Sequence, residues 1–221
     1  MIKAVIFDFD GTIVDTESLW YKVFKQILFE DYGFDLGLED FAKGIGTTDD
    51  ILFNYIDDKL GIKVNRKSIQ EKTERAFQSQ RDILILREGV QELIGKCIEK
   101  GLKLGVASSS GREWVKHYLK HFGIESLFQT VKTKEDVEKV KPDPALYIKA
   151  LEEMGVEPEE SLAIEDSVNG SIAAVQAGMH CVAVPNDVTH FLSFHEKVNR
   201  YKAFSEIPID ELIMGQSSRK K

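Results

Sequence analysis

Residues Ile2–Thr12 read IKAVIFDFDGT. From Ile2 to Phe9 the stretch is apolar almost throughout and rich in β-branched and aromatic side chains. That is the composition of a strand buried on both faces, as in a parallel sheet. The run carries two aspartates, Asp8 and Asp10, and then Gly11, where the chain can leave the strand sharply. Alternate residues of an extended chain face the same side. Two carboxylates placed side by side repel each other and take up protons unless a cation joins them. Asp-Gly alone is a common turn signal. Here it stands at the carboxyl edge of a buried strand, which is where open parallel sheets bind ligands.

Further short apolar runs come much later: Leu102–Ala107, Thr130–Thr133, Leu162–Ile164 and Cys181–Val184. Helical patterns lie before and between them, at Gly89–Lys100, Arg112–Phe122, Pro144–Met154 and Asn169–Ala177. Strand alternating with helix means βαβ units, hence an α/β fold with a parallel sheet. Thr16–Leu86 is different. Leu19, Val23, Phe24, Ile27 and Leu28 repeat at helical spacing, as do Ile51, Leu52, Tyr55 and Ile56, and a third pattern runs from Ile69 to about Gln80. A simple crossover needs only about a dozen residues, so this stretch reads as an inserted helical domain. The expected organisation is a doubly wound α/β core from residues 1–15 and 87–221, with an all-helical domain at 16–86.

The chain has 221 residues, with 29 Lys and Arg against 37 Asp and Glu, a net charge of −8. It lacks the basic footprint that nucleic acid requires, and anionic membrane surfaces are disfavoured for the same reason. Cys97 and Cys181 are far apart, which makes neither a disulfide framework nor a zinc ribbon. The apolar N-terminal run is short and carries charge, unlike a signal peptide or a membrane span. A soluble, cytoplasmic monomer is the expectation.

Three more stretches carry chemistry. In VASSSGR, Val106–Arg112, a strand ends in serines before a helix. Ser109 or Ser110 can cap that helix, and Ser108 and Ser109 stand beside its open amides, which suit an anion. In VKPDPALY, Val140–Tyr147, Asp143 and Pro144 suit a helix start, while Lys141 precedes a proline and is biased extended. In LAIEDSVNGSIAAVQAG, Leu162–Gly178, a second apolar strand ends in carboxylates, Glu165 and Asp166. Asp8, Asp10, Glu165 and Asp166 thus bring four carboxylates from two strand ends. A hard cation holds such a set, and Mg²⁺ keeps water and substrate phosphate among its ligands. With an anion pocket from Ser108 and Lys141, the set reads as phosphoryl transfer, with an aspartate able to act as nucleophile.

The motifs DFDGTIVD, the serine-rich strand end, the Lys-Pro pair and IEDSVNG, in that order, resemble the haloacid dehalogenase superfamily, in its β-phosphoglucomutase-like branch. The resemblance covers essentially the whole chain. It implies a Rossmann-like core with residues 16–86 as a cap domain. It implies Asp8 as nucleophile and Asp10 as general acid and base. It implies Asp8, the Asp10 carbonyl and Asp166 on Mg²⁺ with Glu165 in or beside that shell, and Ser108 and Lys141 on the phosphoryl oxygens. The implied activity is a Mg²⁺-dependent phosphatase acting on a small phosphorylated metabolite such as a sugar phosphate, through an aspartyl-phosphate. The alternative is a phosphosugar mutase. Mutases of this branch resemble one another in a histidine just after the first motif and an arginine in the cap. This chain has Trp20 and Thr47 there, which favours hydrolysis.

Other signals point elsewhere. GIGTTD, Gly44–Asp49, lacks the third glycine of a dinucleotide fingerprint. His117 and His121 are four apart, as metal ligands on a helix can be, but no third ligand is near in sequence. They read as histidines at the edge of an apolar face that includes Trp114 and Tyr118. Trp20 is expected in the helical core or lining the substrate cleft.

Overall fold

The computed structural model describes residues 1–42 and 49–214. Thr47, one of the two expected cap positions, lies outside them. Contacts divide the chain into two compact units. The α/β unit comprises Met1–Val14, Leu86–Pro185 and Phe194 onward; the helical unit comprises Asp15–Ile85 and Asn186–Ser193.

The α/β unit holds six strands: β1 (Ala4–Phe7), β2 (Lys103–Ala107), β3 (Thr130–Lys132), β4 (Ser161–Glu165), β5 (His180–Ala183) and β6 (Val198–Arg200). They form one sheet in the order β3-β2-β1-β4-β5-β6, every pairing parallel. Its helices are α5 (Val90–Glu99), α6 (Arg112–His121), α7 (Ala145–Met154), α8 (Val168–Gln176) and the short α9 (Ile209–Ile213). β1 and β4, the central strands, are buried at every residue. Ala4 and Ile6 face one side and pack with Ala163, Cys181 and the apolar faces of α7 and α8. Phe7 points the other way, edge-on to Phe128. This two-sided cover is why these strands read as unbroken apolar runs. The architecture is the doubly wound, Rossmann-like α/β fold expected from the sequence.

β6 was not foreseen. Only Val198 of its three residues is buried; Asn199 and Arg200 are exposed. An edge strand of three residues has no apolar run to display.

The helical unit contains α1 (Thr16–Tyr32), α2 (Leu38–Ala42), α3 (Asp49–Leu60) and α4 (Arg66–Gln80). The Asp15 carboxylate caps α1 by accepting from the Ser18 amide, and Asn65 does the same for α4 at Ser68. Gly33 ends α1 in the left-handed region, where a side chain would be strained. Phe24, Ile27, Leu28, Phe41, Phe53, Ile56 and Ile69 form the core. Val188 joins it, which brings Asn186–Ser193 into this unit. The sequence reading had kept that segment in the α/β core, because one buried valine in a loop carries no periodicity.

Candidate active site

The sheet order fixes where a site can form. The chain runs from β1 outward to β2 and β3, then returns to the other side of β1 as β4. The reversal leaves a crevice beyond the carboxyl ends of β1 and β4. Phe7 pairs with Ile164, and the Asp8 amide donates to the Ile164 carbonyl at 2.9 Å. That register sets Asp8 beside Glu165.

Ligand oxygens of Asp8, Glu165 and Asp166 lie within 4.8 Å of one another, and all three residues are buried. The Lys141 ammonium sits among them, 2.6 Å from Asp8 Oδ1 and 2.7 Å from Glu165 Oε1. Its side chain is only 5% exposed, so it is not a solvated surface lysine. Burial pushes the Asp8 carboxyl up to about 7, against the pull of Lys141; Glu165 and Asp10 push the same way as burial. Desolvation acts to lower the Lys141 pKa, but the attractions of Asp8 and Glu165 outweigh it and raise it.

Glu165 is held from every side. Besides Lys141, the Tyr147 hydroxyl donates to Oε1 at 2.7 Å, and the Asp166 amide and Ser167 hydroxyl donate to Oε2. Gly170, in the first turn of α8, leaves space for this carboxylate: a Cβ there would lie 1.9 Å from Oε1. Asp166 accepts from the Thr12 hydroxyl at 3.2 Å.

Asp10 turns to a different neighbourhood. Gly11 follows it at φ 79°, which only glycine adopts without strain. The Gly11 carbonyl accepts from Arg87, whose guanidinium also reaches the carbonyls of Val184 and Pro185. The Asp10 carboxylate accepts from Ser110 Oγ at 2.6 Å, Trp114 Nε1 at 2.9 Å and, weakly, Ser108 Oγ at 3.3 Å. Ser108 is buried and also accepts from the Ser110 amide.

Asp8, Asp10, Ser108, Lys141, Glu165 and Asp166 are therefore brought together at one edge of the sheet. Ser109 is exposed beside them. Neither Ser109 nor Ser110 caps α6. Gly111 holds the N-cap position without a side-chain bond, and Glu135 takes the Arg112 amide. Ser110 is instead spent on Asp10. Asp143 does serve α7, bonding the Ala145 amide, though that helix starts after Pro144. Trp20 belongs to the helical unit, edge-on to Phe77. His117 and His121 are exposed.

Sequence reasoning missed Thr12, Ser110, Trp114, Tyr147 and Gly170. Tyr147 and Trp114 each carried one usable signal. Both lie on apolar helix faces, and a polar ring tip there needs a partner. The other three look like ordinary loop and helix-start residues.

The three converging carboxylates are hard oxygen donors in a buried setting whose negative charge exceeds the one lysine among them. They fit a divalent cation such as Mg²⁺.

The chain is 42% identical over 214 residues to "Putative phosphatase YhcW" of Bacillus subtilis (strain 168), covering 96% of this chain and 97% of that one. It is 30% identical to Hexitol phosphatase B of Escherichia coli (strain K12), over 83% and 84% of the two chains. The crystal structure of CbbY from Rhodobacter sphaeroides in complex with phosphate superposes with a TM-score of 0.71 at 27% identity, covering 94% of this chain and 97% of that one. The model of the haloacid dehalogenase-like hydrolase family matches residues 5–184, from within β1 to just past β5. The chain belongs to the haloacid dehalogenase-like hydrolases.

Proposed function

We propose that the chain is a Mg²⁺-dependent phosphatase for a small phosphorylated metabolite such as a sugar phosphate. It is a phosphoric monoester hydrolase of its family, and relatives named for hexitol phosphates and for phosphorylated carbohydrates support that substrate class. The observation that carries the reading is the meeting of Asp8, Glu165, Asp166 and Lys141 at the sheet's reversal point.

In this reading a carboxylate oxygen of Asp8 attacks phosphorus and forms an aspartyl-phosphate as the bond to the leaving oxygen breaks. Asp10 gives that oxygen its proton. It then takes a proton from water, which attacks the same phosphorus. Breakage of the bond to Asp8 releases inorganic phosphate and restores the carboxylate. Lys141 and Ser108, with Ser109 at the rim, hold phosphoryl oxygens. Asp8, Asp166 and the Asp10 carbonyl hold the cation, with Glu165 in or beside its shell. When bound, Mg²⁺ neutralises charge gathering on the transferring group. The helical unit serves as the cap, with Trp20 and Thr47 as its candidate substrate contacts.

The test is release of inorganic phosphate from a panel of phosphorylated metabolites, with Mg²⁺ and with EDTA, while phosphorus NMR follows any isomer. The expected result is Mg²⁺-dependent phosphate release with little isomer. Isomer appearing faster than free phosphate would replace hydrolysis with the mutase alternative.

A further inference from the structure

Besides the weak bond from Ser108, the Asp10 carboxylate is held by two residues that none of the roles above uses. Trp114 comes from the first turn of α6, far along the chain, and donates Nε1–H to Oδ1 at 2.9 Å. Ser110 donates to Oδ2 at 2.6 Å. The two bonds grip opposite oxygens, so together they fix both side-chain torsions of Asp10. An indole nitrogen only donates, which makes this grip one-directional. The indole is itself braced, edge-on to Tyr118 at 4.7 Å, and Tyr118 is 2% exposed. Packing on that face needs only an apolar ring; the N–H is an addition that Asp10 receives.

We infer that Trp114 and Ser110 are positioning residues that hold the Asp10 carboxyl group in the orientation from which it serves the leaving oxygen. This rests on the phosphatase reading given above. A carboxyl on a short loop has two free torsions, and a group held in the reactive orientation is far more effective than one that must find it. Neither Trp114 nor Ser110 touches phosphate in this scheme. Their loss should therefore act on the proton-dependent part of the reaction and leave substrate binding alone.

The leaving group supplies the discriminating measurement. p-Nitrophenyl phosphate releases an anion that needs little help from an acid, whereas phenyl phosphate releases one that does. Trp114→Phe keeps the ring and removes the N–H; Ser110→Ala keeps the backbone and removes the hydroxyl. For each, kcat/KM for phenyl phosphate should fall at least about tenfold more than for p-nitrophenyl phosphate, the lower end of what one hydrogen bond to a charged group supplies. KM should stay within about twofold. In an Asp10→Asn background, adding Trp114→Phe should change neither ratio further.

Equal losses on both esters, or none, in both single variants would overturn the inference. So would a further leaving-group-dependent loss in the Asp10→Asn background. If Trp114→Phe does not fold, Ser110→Ala alone decides by the same ratio. Failure of the underlying reading looks different. Asp10→Asn itself would then leave the leaving-group dependence unchanged, or the unaltered protein would hydrolyse neither ester.

Discussion

Two neighbouring strands of one sheet each end in acidic residues, and the two ends have different surroundings. Glu165 is the last residue of β4 and Asp166 follows it, and oxygens of the two carboxylates lie within 4.8 Å of each other and of Asp8. Glu165 is enclosed by Lys141, Tyr147, Ser167 and a backbone amide, and Asp166 accepts from Thr12. After β1, Asp8 and Asp10 are separated by Phe9, which is fully buried. Asp8 joins the Glu165 side of the crevice, while Asp10 is drawn toward α6. The donors around each carboxylate differ more than the residue types do, and in the proposed mechanism that difference separates their tasks. A carboxylate wrapped in fixed donors can hold a cation or a lysine, but it cannot travel. Asp8 has Lys141 as its one cationic partner among the described residues, which in the proposed mechanism leaves it available to react.

The largest expected effect tests the β1 end directly. Asp8→Asn should lower turnover by at least about ten-thousandfold, because the amide keeps the shape and loses the nucleophile. The fold should survive, since circular dichroism and melting report packing that an isostere leaves intact. Activity near that of the parent would remove the aspartyl-phosphate from the mechanism.

The next comparison sets Asp10 against Asp166. Asp10→Asn should slow turnover about a hundredfold to ten-thousandfold, the usual cost of a lost general acid. It should leave Mg²⁺ affinity nearly unchanged, because only its backbone carbonyl is assigned to the cation. Asp166→Ala should show the reverse emphasis, with Mg²⁺ binding weakened first. Calorimetric titration of Mg²⁺ into both variants separates them. Equal loss of affinity would mean the two strand ends share a single task.

Asp8 should also make the stability of the protein depend on pH. In the folded chain its carboxyl keeps a proton up to about 7, whereas the ordinary value is 3.8. The folded state therefore binds more protons between those values, and stability contributed by this group falls as pH rises through that window. The total is on the order of 4 kcal/mol at most, at about 1.4 kcal/mol per pH unit. Melting curves in EDTA from pH 4 to 8 should show this decline in the parent and its absence in Asp8→Asn. Mg²⁺ should stabilise the parent more at pH 8 than at pH 5, because protons compete for its ligands. A parent and variant with parallel pH profiles would show that the Asp8 carboxyl ionises over the same range in the folded and unfolded chain.

Much of this was legible from the sequence because the signals were local. A run such as AVIF or SLAIE announces a doubly covered strand, and a carboxylate at its end falls on the ligand-binding edge. Lys141 was legible only through its motif, since no periodicity separates a buried lysine from a solvated one. Trp114 and Tyr147 were hidden for another reason. Each sits at a spacing that satisfies an apolar helix face, and the partner of its polar atom comes from a distant strand end. Asn186–Ser193 was misplaced because membership of a unit is a tertiary property, and Val188, which joins the helical unit's core, has no periodicity to announce it.

Two helix glycines give the smallest and most controlled comparison. Gly95, inside α5, has nothing within 4 Å of where a Cβ would stand. Gly95→Ala should stabilise the protein by about 0.5–1 kcal/mol, through lower unfolded-state entropy and better helix propensity. Gly170 stands in α8 at the other extreme, with its added Cβ 1.9–2.2 Å from the carboxylate atoms of Glu165. A free glutamate would swing aside at small cost. This one can move only by giving up bonds from Lys141, Tyr147 and Ser167. Gly170→Ala should therefore weaken Mg²⁺ binding about tenfold to a hundredfold, the range found when a ligand's supporting contacts are lost. Calorimetry of Mg²⁺ binding in both alanine variants, with their melting temperatures, makes the comparison. If Gly170→Ala bound Mg²⁺ like the parent while Glu165 stayed in place, helix α8 would have to give way instead. The β4 end would then be less rigid than the β1 end, reversing the contrast drawn between them.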